Sequence, residues 1–232
     1  MADLEKEARE NLGVKVEYGH CLKPILTENA DGVVQWPSFI NLYQQLIAGI
    51  YLDNGTKKYW FDKITKSNSY FIYPKGLSIA WIDDSRYWRW TIVEQFGRRV
   101  EAAELIRVSW FDVRGKIKAY FLSPGITYEI YYDLFLRSSA SGWNEAVVFS
   151  IKLPNGFTIA KSEVLQNKPR EQWFQIKIGE FKVDDKYGCN SVEEYEYSML
   201  NHGGHWKTGL IVRGVGIQAK QPSLQIGCGC SS

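Results

Sequence analysis

The feature that most constrains the fold is an alternation of apolar and polar residues in the middle of the chain. In the segment 127–137, Tyr128, Ile130, Tyr132, Leu134 and Leu136 occupy every second position. A period of two places these side chains on one face of a β-strand. We therefore expect a half-buried strand here, with polar residues among those on its other face.

Strand patterns recur along the second half of the chain. They cover residues 108–122, 147–160, 173–178, 192–200 and 210–220. Arg114-Gly115 and Pro154-Asn155-Gly156 predict hairpin turns within the first two of these segments. No strong helical segment separates the strands, so the crossover helices of a parallel sheet have no place in this chain. The sequence predicts an all-β fold, an antiparallel β-sandwich of about eight or more strands.

The first part of the chain has a different pattern. Apolar residues at 39, 42, 43, 46 and 47 follow Trp36-Pro37-Ser38 and predict one amphipathic helix packed on a core. Asn54-Gly55 predicts a hairpin turn. We divide the chain into a small, partly helical N-terminal extension (1–72), a β-sandwich domain (73–220) and a flexible cysteine-containing tail (221–232).

Composition and motifs exclude several classes of protein. The 28 basic and 26 acidic residues give a net charge of +2, so the overall charge does not indicate nucleic-acid binding. The sequence has neither an apolar signal region nor about 18 consecutive apolar residues, so we expect a cytosolic protein without signal peptide or membrane span. Phosphate loops, dinucleotide fingerprints and standard metal-ligand spacings are also missing, so we expect no cofactor and no metal.

The motifs do not support catalysis. Asp83 and Asp84 are adjacent, and adjacent residues on a strand point to opposite faces, whereas two catalytic carboxylates must flank one glycosidic bond. A serine nucleophile on a G-x-S-x-G elbow is also absent. We therefore expect a protein that is not an enzyme.

Aromatic residues make up 15% of the chain, and they concentrate beside charged residues in the segment 77–90. Trp88 and Trp90 lie two residues apart, so both rings are expected on one face of a strand. If that face is exposed, a pyranose ring could stack on it while Asp83, Asp84 or Arg86 bind the hydroxyl groups. The alternative is that one or both indoles lie in the core.

Ordered motifs from Leu77 to Lys220 resemble a known family. They are S-I-A-W-I-D-D-S-R-Y-W-R-W at 78–90, Glu104-Leu105, Trp110, Gly142-Trp143, Trp173 and G-G-H-W-K-T-G-L-I-V at 203–212. The pattern resembles the plant phloem protein 2 lectins, relatives of the tobacco agglutinin, and the two chain ends resemble the longer cucurbit members. This resemblance implies a jelly-roll β-sandwich that binds N-acetylglucosamine oligomers, meaning chitin fragments and N-glycan cores of glycoproteins.

The resemblance also implies site residues. Trp81 and Trp88 match sugar-binding tryptophans of relatives, Trp90 is their neighbour, and Glu193 aligns with a family carboxylate. Leu200 stands where relatives carry a second acidic residue, which puts the sugar affinity in doubt.

The segment 203–212 invites a functional interpretation as well, because His205, Trp206 and Lys207 are polar and aromatic together. We favour a structural role for Trp206, since it precedes a strand pattern with the features of a core strand. Gly203 and Gly204 are expected to form a turn.

Cysteine usage points to the tail. Cys228 and Cys230 are spaced as C-x-C, which fits neither a zinc ribbon nor a thioredoxin-type pair. They are either exposed thiols that form intermolecular disulfides or reduced thiols with no task. The resemblance implies disulfides to the phloem filament protein, in wound sealing and defence within sieve elements and companion cells. A dimer is also expected, because weak sugar sites gain avidity when several act together.

An RNA-binding protein of phloem ribonucleoprotein transport is the alternative function. Lys57, Lys58, Lys63 and Lys66 are interleaved with Tyr59, Trp60 and Phe61. Such interleaving suits single-stranded RNA. A solvated strand edge would produce the same pattern.

Overall fold

The computed structural model describes residues 22–35 and 38–221, together with the isolated positions 6 and 10. Two α-helices come first, α1 (Leu22–Asn29) and α2 (Phe39–Ala48). The strands are β1 (Ile50–Leu52), β2 (Lys57–Asp62), β3 (Ser67–Ile72), β4 (Ser78–Ile79), β5 (Trp88–Gln95), β6 (Arg98–Leu105), β7 (Phe111–Lys118), β8 (Thr127–Ser141), β9 (Val147–Lys152), β10 (Thr158–Glu163), β11 (Trp173–Lys182), β12 (Glu194–Asn201) and β13 (Thr208–Ala219). Short 3-10 helices lie at Pro74–Gly76, Ala119–Phe121 and Leu165–Asn167.

These strands form two antiparallel sheets. The larger sheet has the order β1-β2-β3-β13-β6-β5, and β8 and β11 extend it beside β13. The smaller sheet has the order β10-β9-β12-β7-β4. Every strand pair of the described residues is antiparallel. The predicted antiparallel β-sandwich is confirmed.

The core between the sheets follows from the alternation on β8. The five even-numbered residues 128–136 are fully buried. Among them, the Tyr132 ring lies 5.8 Å from the ring of Phe149 in the smaller sheet. Its hydroxyl donates a hydrogen bond to the carbonyl oxygen of Val113 at 3.0 Å. The apolar face of β8 therefore joins the two sheets, and each buried aromatic ring contributes about 1.5–3 kcal/mol by leaving water.

Asp133 departs from the predicted pattern, because this residue on the other face of β8 is only 1% exposed. Arg213 on β13 donates through Nε and Nη2 to Asp133 Oδ2, at 3.0 and 2.7 Å. The Arg213 guanidinium in turn lies 4.0 Å from the ring centroid of Trp173. Burial raises the pKa of Asp133, against the opposing effect of Arg213. Asp133 is buried because the side chain of Arg213 on β13, itself packed on Trp173 of β11, covers it.

Helix α2 forms where the apolar spacing predicts it. The Ser38 side chain caps its first turn, and the helix ends before Gly49, which has a φ of 96°. Its buried residues are Leu42, Tyr43 and Leu46. The apolar stripe thus faces the core, as predicted. Pro37, expected at the helix start, lies outside the described residues.

Two of the three predicted hairpins are confirmed. β1 pairs with β2 around Asn54-Gly55, where φ is 57° and 73°, and β9 pairs with β10 around Asn155-Gly156. The prediction of a turn at Arg114-Gly115 is wrong, because β7 runs through both residues. A Cβ atom on Gly115 would overlap the ring of Tyr197, its cross-strand neighbour. This glycine is required for close packing rather than for a turn.

The segment assigned to the N-terminal extension takes part in the larger sheet. β1, β2 and β3 all precede residue 73, and β3 pairs with β13 with Phe71 opposite Gly216. Helix α2 packs on β2, where the rings of Tyr43 and Phe61 lie 6.2 Å apart. The division at residues 72 and 220 stays a prediction. Beyond Gln221, the tail lies outside the described residues.

Candidate functional site

Trp81 is the most exposed tryptophan of the described residues, at 59%. It lies in the segment 80–87 with a φ of 66°, a conformation that bulky residues rarely adopt. The Ala80 amide donates to the Asp112 carbonyl on β7 at 3.0 Å. Backbone strain of this kind persists only where the surroundings enforce it, and it concentrates at functional positions. The fold thus holds a strained residue with its ring in solvent.

The segment 80–87 consists of turns. The Asp84 amide donates to the carbonyl of Trp81, and the amides of Tyr87 and Trp88 donate to the carbonyl of Asp84. Asp83 and Asp84 therefore do not lie on a strand, and the prediction that they point to opposite faces of one is wrong. Both residues instead line one depression together with Trp81.

Trp88 is buried, at 2% exposure, whereas Trp90 on the same strand is 40% exposed. The Trp88 ring lies 6.2 Å from that of Phe111 in the smaller sheet, and its Nε1 donates to the Ala80 carbonyl at 3.0 Å. The two indoles do share one face of β5, but the smaller sheet covers that face at Trp88. Of the two alternatives that the sequence left open, the structure shows the one in which an indole lies in the core. Trp88 supports the turn that carries Trp81.

A depression of about 700 Å³ opens beside the Trp81 turn. It is lined by Ile79, Trp81, Ile82, Asp83, Asp84, Ser85 and Arg86. Arg86 donates to Asp84 through Nε at 3.0 Å and Nη2 at 2.6 Å, and these hydrogen bonds lower the pKa of Asp84 to about 2. The exposed Asp83 forms no ion pair with the described residues and can accept hydrogen bonds from a ligand.

Glu193 lies elsewhere. The Ala119 amide donates to its carbonyl, whereas Ala80 bonds to Asp112, seven positions earlier in β7. Seven steps of about 3.3 Å separate Glu193 from the Trp81 turn by about 23 Å along the strand. The structure does not bring Glu193 and Trp81 together, and a sugar-binding role for Glu193 stays a prediction.

Asp112 lies opposite Leu200, the residue that the family resemblance aligns with an acidic position. Its carboxylate accepts hydrogen bonds from Arg114 at 2.7 and 2.9 Å, and Nε2 of His202 lies 3.1 Å away. Burial alone would raise the pKa of Asp112, but Arg114 and His202 hold it below its usual value. A carboxylate is therefore present beside Leu200, on the neighbouring strand.

Trp110 is an exposed indole that the sequence analysis did not assign to the candidate site. It is 51% exposed, and one face of its indole stacks on His202, with the ring centroids 3.8 Å apart and the planes at 9°. The ring is thereby held in place, since His202 is itself anchored by Asp112. An indole held in this way loses little freedom when a ligand packs on its open side.

Trp206 is 53% exposed, so the preferred assignment of this residue to the scaffold is wrong. Its neighbour Lys207 is buried instead, and the Lys207 Nζ donates to the carbonyls of Ser109, Gly203 and His205 at 2.7, 3.2 and 3.1 Å. Burial lowers the pKa of Lys207. This ammonium group ties the loop 202–207 to residues 108–109 and leaves Trp206 outside.

Trp81, Trp110 and Trp206 belong to loops that hydrogen bonds connect. The amides of Ile106 and Arg107 donate to the carbonyl of Tyr87, and Val108 pairs with Lys207. The loops 80–87, 106–110 and 202–207 thus lie at one end of the sandwich. Because the three loops are far apart in the sequence, sequence patterns could not predict that they lie together. The only local signal is that each indole lies just outside a strand.

The structure separates the residues of the proposed RNA motif. Tyr59 and Phe61 are buried, at 0% and 1% exposure. Lys57 forms an ion pair with Asp53, and Lys58 Nζ lies 4.2 Å from the centroid of the Phe96 ring. Alternation along β2 therefore sends the aromatic residues of the motif to different faces.

Cys189 is disulfide-bonded, and Cys21, Cys228 and Cys230 lie outside the described residues. Across the described ranges, the side chains of His, Cys, Asp and Glu form no group of three or more that could hold a metal ion. The helices of these ranges are too short and too polar to cross a membrane.

Comparisons with known proteins identify the family. Residues 67–219 match the family model described as phloem protein 2. A lectin from Luffa acutangula is 42% identical over 91% of this chain and 100% of that protein. Phloem protein 2-like A1 from Arabidopsis thaliana is 39% identical over 79% of this chain and 75% of its own length. A xylan-binding domain from Paenibacillus barcinonensis covers 64% of this chain and 88% of that domain, with 12% identity and a TM-score of 0.36, too low to support an argument. The chain belongs to the phloem protein 2 family.

Proposed function

We propose that this protein is a carbohydrate-binding lectin whose sugar site is centred on Trp81. The observation that carries the proposal is the exposed Trp81 ring, held at a positive φ by the turn that Trp88 and Asp112 support. Pyranose C–H groups pack on an indole face, and sugar hydroxyls donate to carboxylates. Trp81 would supply the stacking face, with Asp83 accepting hydrogen bonds and the Arg86–Asp84 pair forming the rim.

The ligand class is an oligomer of N-acetylglucosamine, as in chitin fragments and N-glycan cores. Trp110 and Trp206 lie on the loops joined to the Trp81 turn, so a chain of rings has more than one indole to contact. Relatives described as lectins support carbohydrate binding. We propose binding without catalysis or cofactor, with weak individual sites, because a shallow site gains little beyond the cost of desolvating hydroxyl groups.

In the cell, we place this lectin in the cytosol of phloem sieve elements and companion cells. Support comes from the family and from relatives described as phloem proteins. Cys228 and Cys230 would link it to phloem filament protein by disulfides during wound sealing and defence. Dimerisation would then raise the avidity of weak sites.

Substitution of Trp81 tests the site. Trp81→Ala removes the stacking face, and we expect chitotriose affinity to fall about tenfold or more, since one stacked ring contributes about 1–3 kcal/mol by analogy with base stacking. Isothermal titration calorimetry measures this loss. The matched control is Phe157→Ala, which removes an aromatic ring of similar exposure, 63%, from the β9–β10 turn. Equal affinity of both variants and wild type would refute the Trp81 site.

A further inference from the structure

A second groove lies away from the Trp81 turn, where the β1–β2 hairpin, the end of β3 and the β5–β6 hairpin meet. Its volume is about 360 Å³, and Tyr51, Asn54, Tyr73, Lys75, Arg98 and Arg99 are among its lining residues. A depression of about 690 Å³ shares Tyr51, Asn54, Gly55 and Arg98 with it. The two hollows therefore adjoin each other at Arg98 and together can hold an extended ligand.

Cations without anionic partners line this groove. Arg98 lies over the Tyr51 ring, 4.3 Å from its centroid, and neither Arg98 nor Arg99 forms an ion pair with any described residue. The one carboxylate of the groove, Glu101, is paired with Lys75. The carboxylate of the nearby Asp31 accepts a hydrogen bond from the backbone amide of Asn54 at 2.6 Å. Two guanidinium groups therefore remain available to an anion.

A buried tyrosine also belongs to the lining of this groove. Tyr73 is 4% exposed, and its ring stacks on that of Tyr51, with the centroids 6.4 Å apart. Burial, followed by the electrostatic effect of Tyr51, raises the pKa of Tyr73, so the phenol stays protonated and able to donate. A neutral phenol adds no negative charge to a groove that Arg98 and Arg99 make cationic.

We propose that this groove binds a saccharide that carries a carboxylate, such as a uronic acid oligomer. The planar guanidinium groups of Arg98 and Arg99 match a carboxylate in geometry and charge. The exposed Asn54 side chain supplies hydrogen bonds for hydroxyl groups. RNA fits less well, because binding of single strands needs a series of open aromatic faces, whereas Arg98 covers the Tyr51 ring and Tyr73 is buried. This proposal does not depend on the Trp81 site.

The test is a calorimetric titration of the full chain with an oligogalacturonate and with its methyl-esterified, uncharged form. We expect binding of the acidic oligomer only, and a loss of at least about tenfold in Arg98→Ala/Arg99→Ala, since each hydrogen bond to a charged group contributes substantially. Lys118→Ala/Lys182→Ala removes the same charge from exposed positions outside the groove and should bind as wild type. Trp81→Ala should also bind the acidic oligomer normally, while Arg98→Ala/Arg99→Ala keeps its affinity for chitotriose.

Three results would overturn the proposal. They are absence of oligogalacturonate binding, equal binding of the esterified oligomer, and wild-type affinity in Arg98→Ala/Arg99→Ala. Competition experiments with inorganic phosphate and with single-stranded RNA test whether the groove prefers a phosphate group to a carboxylate. If either displaces the oligomer at a lower concentration than free galacturonate does, the groove is a phosphate site and the saccharide assignment is wrong.

Discussion

Trp88 and Trp90 show what a single residue's surroundings add to a sequence pattern. Their spacing correctly predicts a shared face of β5, yet one indole is 2% and the other 40% exposed. The difference arises because Phe111 of the smaller sheet covers Trp88 and the smaller sheet does not extend over Trp90. Alternation identifies a face, whereas the extent of the opposing sheet depends on tertiary packing.

Trp88→Phe tests the supporting role of this residue. The change removes the hydrogen bond to the Ala80 carbonyl and part of the core packing, so we expect a loss of about 1–3 kcal/mol in the free energy of unfolding. Chitotriose affinity should fall as well, because the Trp81 turn loses its support. Urea denaturation and calorimetry measure the two effects. Trp90→Phe, at a half-exposed position, should change stability by less than about 0.5 kcal/mol.

Wild-type stability with abolished sugar binding in Trp88→Phe would contradict the supporting role. Such a result would mean that Trp88 contacts the sugar directly.

At the scale of elements, Glu104 on β6 joins two other strands. Arg89 on β5 donates to its carboxylate at 3.0 and 2.8 Å, and Arg137 on β8 donates at 3.0 and 3.1 Å. Glu104 itself is 4% exposed. Burial would raise the pKa of Glu104, but the two guanidinium groups outweigh it and hold the pKa below 4.5.

Because the pKa of Glu104 is lowered in the folded protein, the free energy of unfolding depends on pH. Above pH 4.5 the carboxylate is ionised in both the folded and the unfolded chain, so its stabilising effect is fully present. As the pH falls below 4.5, the unfolded chain takes up the proton first and stability is lost. We expect Glu104→Gln to lower stability by about 1–3 kcal/mol at pH 7 and to make the decline below pH 4.5 shallower.

Urea denaturation at a series of pH values measures this effect. Glu196→Gln, which breaks an exposed pair with Lys152, should cost less than about 1 kcal/mol. An unchanged acid profile in Glu104→Gln would show that the Glu104 cluster does not link the strands.

Sequence predicts the strands of this fold better than its loops. The alternation on β8 and the Asn54-Gly55 turn are local signals, and both predictions are confirmed. The prediction of a turn at Gly115 is wrong because a single glycine in a sequence can mark either a turn or a position of close packing. At Gly115 it permits close packing against Tyr197. The burial of Asp133 could not be predicted, because its partner Arg213 is 80 positions away in the sequence.

For the whole molecule, the candidate site depends on three loops that meet at one end of the sandwich. Trp81 could be proposed from the sequence only through the family resemblance, because the spacing of the aromatic residues drew attention to Trp88 and Trp90 instead. Trp110 and Trp206 could not, because only the pairing of Val108 with Lys207 and the bonds to Tyr87 bring their loops together. Sites built from separate loops are tertiary features, and a local pattern does not contain them.

A crystal structure of the complex with chitotriose tests the central claim most directly. We predict a pyranose ring packed on the indole of Trp81, a sugar hydroxyl within hydrogen-bond distance of Asp83, and further rings directed toward Trp110 or Trp206. A sugar bound elsewhere, for example in the groove at Arg98, with the Trp81 ring left in solvent, would contradict the account.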